Sequence, residues 1–233
     1  TGPDVAAVPN VDFVADGHSH KAVTPNRDYG AMYANGGRYL EHFMVITLDG
    51  KKGDMALKSY ADVAEVVPDK AMTDSIRQID AARGLEEVIF TSPDDSVFKD
   101  GHLRKDSTPL GRLICESMAK AADSTIALHT PGGIRAGLPG GPVHRRDLLD
   151  VLPFDDRLVA VDMTGKQIAD VFSRGIGHGG RGLPQFFGLD VWAWRDEDDS
   201  LHVAGLRLTN GDSLQPDKTY RVALNGFMAK NMN

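Results

Sequence analysis

Cysteine is almost absent from this chain: Cys115 is the single one in 233 residues. One thiol forms no disulfide within the chain, and it leaves the redox compartment open. Long apolar runs are missing as well. Stretches such as Phe43–Leu48 and Leu158–Val161 are strand-length, far short of the roughly 20 residues that span a membrane. Basic charge is not in excess: 26 Lys and Arg stand against 33 Asp and Glu, for a net charge of −7. That balance argues against attachment to nucleic acid or anionic lipid by bulk charge, while leaving room for a local basic pocket. Internal repeats and low-complexity segments are absent. So is a signal-peptide pattern. The opening TGPDVAAVPNVDF has no initiator methionine and reads like the interior of a domain, so a preceding targeting segment is compatible with it. What is present is ordinary globular composition, 41% hydrophobic and 25% charged, at a length that suits one large domain or two small ones.

The pattern along the chain divides it in three. Residues 1–67 read as strands: Val11–Ala15 is closed by Asp16-Gly17, and Arg38–Leu48 (RYLEHFMVITL) is turned by Asp49-Gly50. Residues 68–84 read as a helix, with Pro68 in the first turn, Ile76, Ile79 and Ala82 at helical spacing, and Gly84 as the stop. Residues 85–233 alternate strands (Glu87–Phe90, Thr125–Leu128, Leu158–Met163, Val191–Trp194, Tyr220–Leu224) with helices (Leu110–Ala122, Arg146–Val151, Gly165–Arg174). The expected fold class is α/β, or mixed α+β, built on a mixed sheet. Gly175–Gly182 (GIGHGGRG) reads as a connecting loop, His144–Asp147 (HRRD) as a solvated helix start, and Trp192 and Trp194 as neighbours on one strand face that packs a core or an edge. Cys115 falls inside a helix and is expected to be buried and inert.

Two stretches carry chemistry. VADGHSH sets His18 and His20 two positions apart after a strand, a spacing that suits metal ligation and equally suits two polar loop histidines. TPGGIRAGLPGGPVHRRDLLDVLPFDD, residues 130–156, runs from a strand into a Pro-Gly-Gly turn and Arg135. Glycines admit close backbone approach, their amides can face an anion, and a guanidinium fork suits phosphate. The same residues fit a plain glycine-rich turn with a surface arginine.

Taken together, GGIRAG, VLPFDDRLVAVDMTGKQI, YRVALNGFMA and the upstream LRKDSTPLGRLICESMAKAAD resemble the C-terminal domain of the 5′-nucleotidase family, over about Leu85–Ala229. That family includes UDP-sugar hydrolases and 2′,3′-cyclic nucleotide phosphodiesterases. VADGHSH is similar to the last metal motif of the family's N-terminal metallophosphoesterase domain, and RYLEHFMVITLDG to the strands that follow it. The resemblance implies three parts. Residues 1–67 are the terminal strands of a metallophosphoesterase β-sandwich, 68–84 a linker helix, and 85–233 a substrate-binding domain with the mixed sheet of the family. It implies two-metal hydrolysis of nucleotide phosphate esters with Zn, Mn, Co or Mg. His18 and His20 would be ligands, too few alone for a dinuclear site. Arg104 and Arg135 would grip phosphate, Phe154 and Phe227 would clamp the base, and a nucleotide would be the partner rather than a nucleic-acid polymer. It also implies a periplasmic, secreted or cell-surface location.

Departures from the family pattern bear on specificity. Asp100 stands where a further phosphate arginine is usual. Thr130-Pro131 replaces Asn-x, keeping a hydroxyl and losing an amide. Asp155-Asp156 replaces Gly-Asn, so Asp156 offers a carboxylate to base or ribose. Asn233, in the closing KNMN, falls at the position of a ribose-binding aspartate. These changes keep open a binding or structural protein that has lost catalysis, and an enzyme for nucleotide sugars or cyclic nucleotides.

Overall fold

The computed structural model describes residues 1–50, 52–94, 98, 103–176, 182–198 and 201–231. It divides into two compact units, Thr1–Ser75 and Ile76–Asn233.

The first unit opens with a short helix, α1 (Gly2–Ala6), whose N-cap Thr1 hydroxyl donates to Asp4 at 2.7 Å. Strands β1 (Phe13–Asp16), β2 (Ala22–Asn26) and β3 (Met32–Gly36) form a sheet in the order β1-β3-β2. β1 is parallel to β3 and β2 antiparallel to it. Its small core holds Ala6, Val14, Ala31 and Tyr33. Strands β4 (His42–Asp49) and β5 (Lys52–Ser59) make a separate two-stranded ribbon, in register from His42↔Ser59 to Asp49↔Lys52. Asp49-Gly50 leads into its turn, as the sequence suggests, with Gly50 at φ +59°. The strand expected from Arg38 starts instead at His42. Tyr39 and Leu40 have φ of 56° and 58°, and a backbone in the left-handed region cannot continue a strand.

Helix α2 (Lys70–Ala82) contains the boundary between the units. Asp69, not Pro68, starts it: its carboxylate accepts from the Met72 amide at 2.8 Å. Gly84 ends it at φ +62°.

The second unit is organised by a four-stranded mixed sheet. In chain order its elements are β6 (Val88–Ser92), α3 (Pro109–Ala121), β7 (Ile126–His129), β8 (Gly141–His144), α4 (Arg145–Val151), β9 (Leu158–Thr164), α5 (Gly165–Ile176), β10 (Gln185–Phe187), β11 (Leu189–Arg195), β12 (Leu201–Leu208), β13 (Thr219–Asn225) and α6 (Gly226–Lys230). The sheet runs β10-β7-β13-β9, with β7 and β13 parallel and both outer pairs antiparallel. One cluster joins Ile126, Leu128, Val222 and Leu224 of the sheet to Ile168 and Phe172, spaced four apart on α5. A second set, Cys115 and Ala119 of α3 with Ala127 and Ala223, uses small side chains so that α3 lies close to the strands. Burial drives the Cys115 thiol pKa up, so it stays an unreactive thiol.

Two ribbons flank these elements. β6 and β8 pair antiparallel, and α4 follows β8 directly, its first turn closed by the His144 amide donating to Asp147 at 2.7 Å. Arg145 and Arg146 are ion-paired, with Glu87 and with Asp80 and Glu86 respectively, which explains HRRD as a structural helix start. β11 and β12 form the other ribbon. Trp192 and Trp194 lie on its exposed face rather than in a core. Their flat sides are covered locally: the Arg207 guanidinium is 4.8 Å from the Trp192 ring, and His202 stacks on Trp194 at 4.5 Å. Among the described residues no helix is long and apolar enough to cross a membrane. Most of the GIGHGGRG loop lies outside the described residues.

Candidate functional site

Three loops at the ends of sheet strands bring most of the expected site residues together. β7 ends at His129 and passes into a single 3₁₀ turn, Pro131–Gly133, followed by Arg135. α4 ends at Val151 and leads through Phe154 and Asp156 to β9. β13 ends at Asn225 and passes straight into α6, which carries Phe227.

The two arginines meet at one glycine. Arg135 Nη1 donates to the Gly132 carbonyl at 3.3 Å. Arg104 approaches the same residue from another loop: a Cβ on Gly132 would sit 2.8 Å from Arg104 Nη2. A side chain there would push the guanidinium away, so the first glycine of GGIR is needed for this close approach. The backbone around Arg104 is held by Gln185, fully buried on β10. Its Oε1 accepts from the Thr108 amide at 2.9 Å, and its Nε2 donates to the carbonyls of Leu103 and Asp106 at 2.8 and 2.7 Å. The Leu183 amide donates to the Arg104 carbonyl at 2.9 Å.

Phe154 is 58% exposed, as its place in the Pro-Phe-Asp-Asp turn suggests, and the Arg135 guanidinium carbon lies 6.0 Å from its ring centre. The Arg135 amide donates to the Val151 carbonyl at 2.9 Å, which ties the glycine turn to the segment that presents Phe154. Phe227 is 47% exposed.

Asp156 has an internal task. Its carboxylate accepts from the Phe227 amide at 2.9 Å and from Asn225 Nδ2 at 2.6 Å. A Cβ on Gly226 would lie 2.6 Å from Asp156 Oδ1, so Gly226 leaves the room this carboxylate takes. Asn225 joins the third loop, donating to Thr130 Oγ1 and accepting from the Thr130 amide, both at 3.3 Å. Thr130, Asn225, Asp156 and the Phe227 backbone therefore form one chain of hydrogen bonds across the three loops. Its Thr130–Asn225 end is buried, where a broken bond leaves a desolvated polar group, while Asp156 and the Phe227 amide are exposed. Asn233 lies outside the described residues, as does Asp100.

Sequence reasoning passes over Asn225, Gln185 and His129. Asn225 stands in the quoted NGF motif, and its place just before Gly226 is the available signal. Gln185 has no local signal, since its partners lie about 80 residues earlier in sequence. His129 is buried at the end of β7, with Nδ1 2.8 Å from the Thr130 carbonyl. Burial lowers its pKa, outweighing that hydrogen bond, so the ring is neutral.

The expected metal ligands are in the first unit. His18 and His20 lie in the exposed turn that follows β1, closed by the His20 amide donating to the Gly17 carbonyl at 3.1 Å. Nearby Asp16 is engaged by the Tyr33 hydroxyl at 2.9 Å and the Gly17 amide at 2.8 Å. Among the described residues no group of three or more His, Cys, Asp or Glu is placed to hold a metal ion. Two histidines do not by themselves make a dinuclear site.

Comparison with known proteins bears on this geometry. Residues 88–233 match the family model described as 5′-nucleotidase, C-terminal domain. The chain is similar to Endonuclease YhcR of Bacillus subtilis (strain 168), 25% identical over 230 residues, covering 94% of this chain and 18% of that protein. It is also similar to a 5′-nucleotidase of Vibrio vulnificus (strain CMCP6), 28% identical over 195 residues, covering 79% of this chain and 32% of that one. In structure it resembles the 5′-nucleotidase precursor from Thermus thermophilus, with a TM-score of 0.66 at 24% identity, covering 94% of this chain and 50% of that one. At that identity the likeness carries the fold. The chain spans less than a third of the length of these two sequence relatives.

Proposed function

The chain belongs to the family of 5′-nucleotidase C-terminal domains, and from that premise we propose that its second unit is the nucleotide-holding part of a phosphoric-ester hydrolase. Arg104 and Arg135 take the phosphate; Phe154 and Phe227 flank the base. The observation that carries this reading is the meeting of both guanidinium groups at Gly132, with the exposed Phe154 ring beside one of them. Paired guanidinium forks suit a phosphate, and exposed rings held by a hydrogen-bond network suit a planar base. Asp156 serves this site by fixing the Phe227 loop rather than by facing phosphate, which explains how a carboxylate is tolerated there.

In the whole protein, divalent ions held in part by His18 and His20 would supply polarisation of the phosphoryl group and an activated water. Nucleotide monophosphates are the proposed substrates, and export to the periplasm or cell surface belongs to the same proposal, on family resemblance alone.

Calorimetric titration with AMP and adenosine tests the reading. Arg135→Ala should weaken AMP far more than adenosine, because it removes a charge-assisted contact to phosphate alone. Equal losses for both ligands would make Arg135 structural and sink the phosphate assignment. No nucleotidase turnover is expected from this chain with added divalent metal. Turnover that disappears in His20→Ala would show that a metal site assembles from it after all.

A further inference from the structure

Beside Phe154 lies a cleft of about 120 Å³ that the phosphate and stacking roles leave unused. Whole-ligand pockets run to roughly 300–1,000 Å³, so this one admits part of a ligand. Ile114, Leu152 and Phe154 supply apolar walls, while His129, Asp156 and Asn225 supply the polar lining. Arg157, which also borders it, is an exposed side chain.

The polar lining offers lone pairs. His129 Nδ1 sits 2.8 Å from the Thr130 carbonyl, which can only accept, so Nδ1 carries the proton and Nε2 is a bare acceptor. The hydrogen bond of the His129 ring runs through Nδ1, and the residue is only 5% exposed. Asp156 is a carboxylate that already accepts from Asn225 and Phe227. Asn225 commits its two amide hydrogens to Thr130 and Asp156.

We propose that this cleft receives the amino-bearing edge of a nucleobase, with His129 Nε2 accepting from the exocyclic amine. The inference rests on the nucleotide reading above and adds a base preference: adenine and cytosine over hypoxanthine and uracil. A keto oxygen would face the Nε2 lone pair. With the base held in the same position, relieving that clash means moving the proton off Nδ1, which breaks the Thr130 bond, or protonating a buried ring, which desolvation opposes. A buried acceptor set against another acceptor is expected to cost about tenfold or more in affinity.

Titration of this chain with AMP, IMP and purine riboside 5′-monophosphate, which carries only hydrogen at the same ring position, provides the test. AMP should bind about tenfold or more tighter than IMP, with the purine compound between them. His129→Asn keeps a donor for the Thr130 carbonyl and removes the Nε2 acceptor. It should bring AMP and IMP to near-equal affinity, whereas a merely structural role would weaken both alike. The order among the three ligands needs no variant, so it decides the matter even if His129→Asn fails to fold. Equal binding of AMP and IMP by the unaltered chain, or a preference that survives in His129→Asn, overturns the base assignment and leaves the nucleotide reading standing. If neither nucleotide binds, both readings fall together.

Discussion

The two units differ in how much of their apolar surface is covered. In the second, Ile126, Leu128, Val222, Leu224, Ile168 and Phe172 are essentially inaccessible, because α5 lays an apolar stripe on a four-stranded sheet. In the first, the core is Ala6, Val14, Ala31 and Tyr33, and the β4–β5 ribbon leaves Phe43, Val45, Ile46 and Leu48 exposed. The ribbon buries Met55 but leaves these other apolar side chains facing outward. The contrast extends to the candidate sites. Loops that leave the ends of β7 and β13 start from fixed strand positions, so a hydrogen-bond network can link them. The His18–His20 turn leaves a short strand of a small sheet and gathers no comparable set of partners.

Cavity formation should separate the units most clearly. Phe172→Ala is expected to cost the second unit about 3–5 kcal/mol, read as a shift in the denaturant midpoint. Val14→Ala should cost the first unit less, since fewer atoms lose contact; equal losses would erase the distinction between the two cores. Gln185→Ala removes the partners of Leu103, Asp106 and Thr108 in the second unit. About 2–3 kcal/mol of stability should go with it, along with AMP affinity through the loop of Arg104. Unchanged AMP affinity would mean that this brace does not position the arginine.

Phe154→Ala leaves the core intact and should weaken AMP and adenosine alike, by roughly 1–3 kcal/mol in titration calorimetry. A smaller effect concerns pH. The Tyr33 hydroxyl and the Gly17 amide hold the Asp16 carboxyl below its ordinary pKa. A carboxyl lowered on folding stabilises above its unfolded pKa, and that contribution is lost as pH falls through the lowered value. Protection of β1 and β3 amides against hydrogen exchange, taken relative to the intrinsic rate at each pH, should therefore fall on acidification below the ordinary aspartate range, and Asp16→Asn should remove that dependence without touching the second unit. The smallest effect is expected at the histidines: His20→Ala should leave the melting temperature in added zinc unchanged. A zinc-dependent rise that the substitution abolishes would give the first unit a working metal site.

Local pattern and pairwise spacing make much of this legible in the sequence. Glycines at 50 and 84 end a strand and a helix where the chain suggests, because a positive φ is a local requirement. The strands and helices of the second unit follow their hydrophobic periods, and GGIR, LPF and NGF mark loops whose residues do converge. The start of the β4–β5 ribbon is not legible, because Tyr39 and Leu40 carry no residue-type sign of their left-handed backbone. The exposure of Trp192 and Trp194 is not legible either, because nothing local says whether a strand face will be covered. Only the tertiary structure decided that Gln185 braces the Arg104 loop, that Asp156 and Asn225 join three loops, and that His129 lines a cleft beside Phe154. Each of those facts depends on partners that folding brings together from distant parts of the chain, such as Asp156 and Asn225, 69 residues apart. Whether a polar side chain serves structure or ligand is set by which of its hydrogen bonds the protein has already filled, and residue type does not encode that.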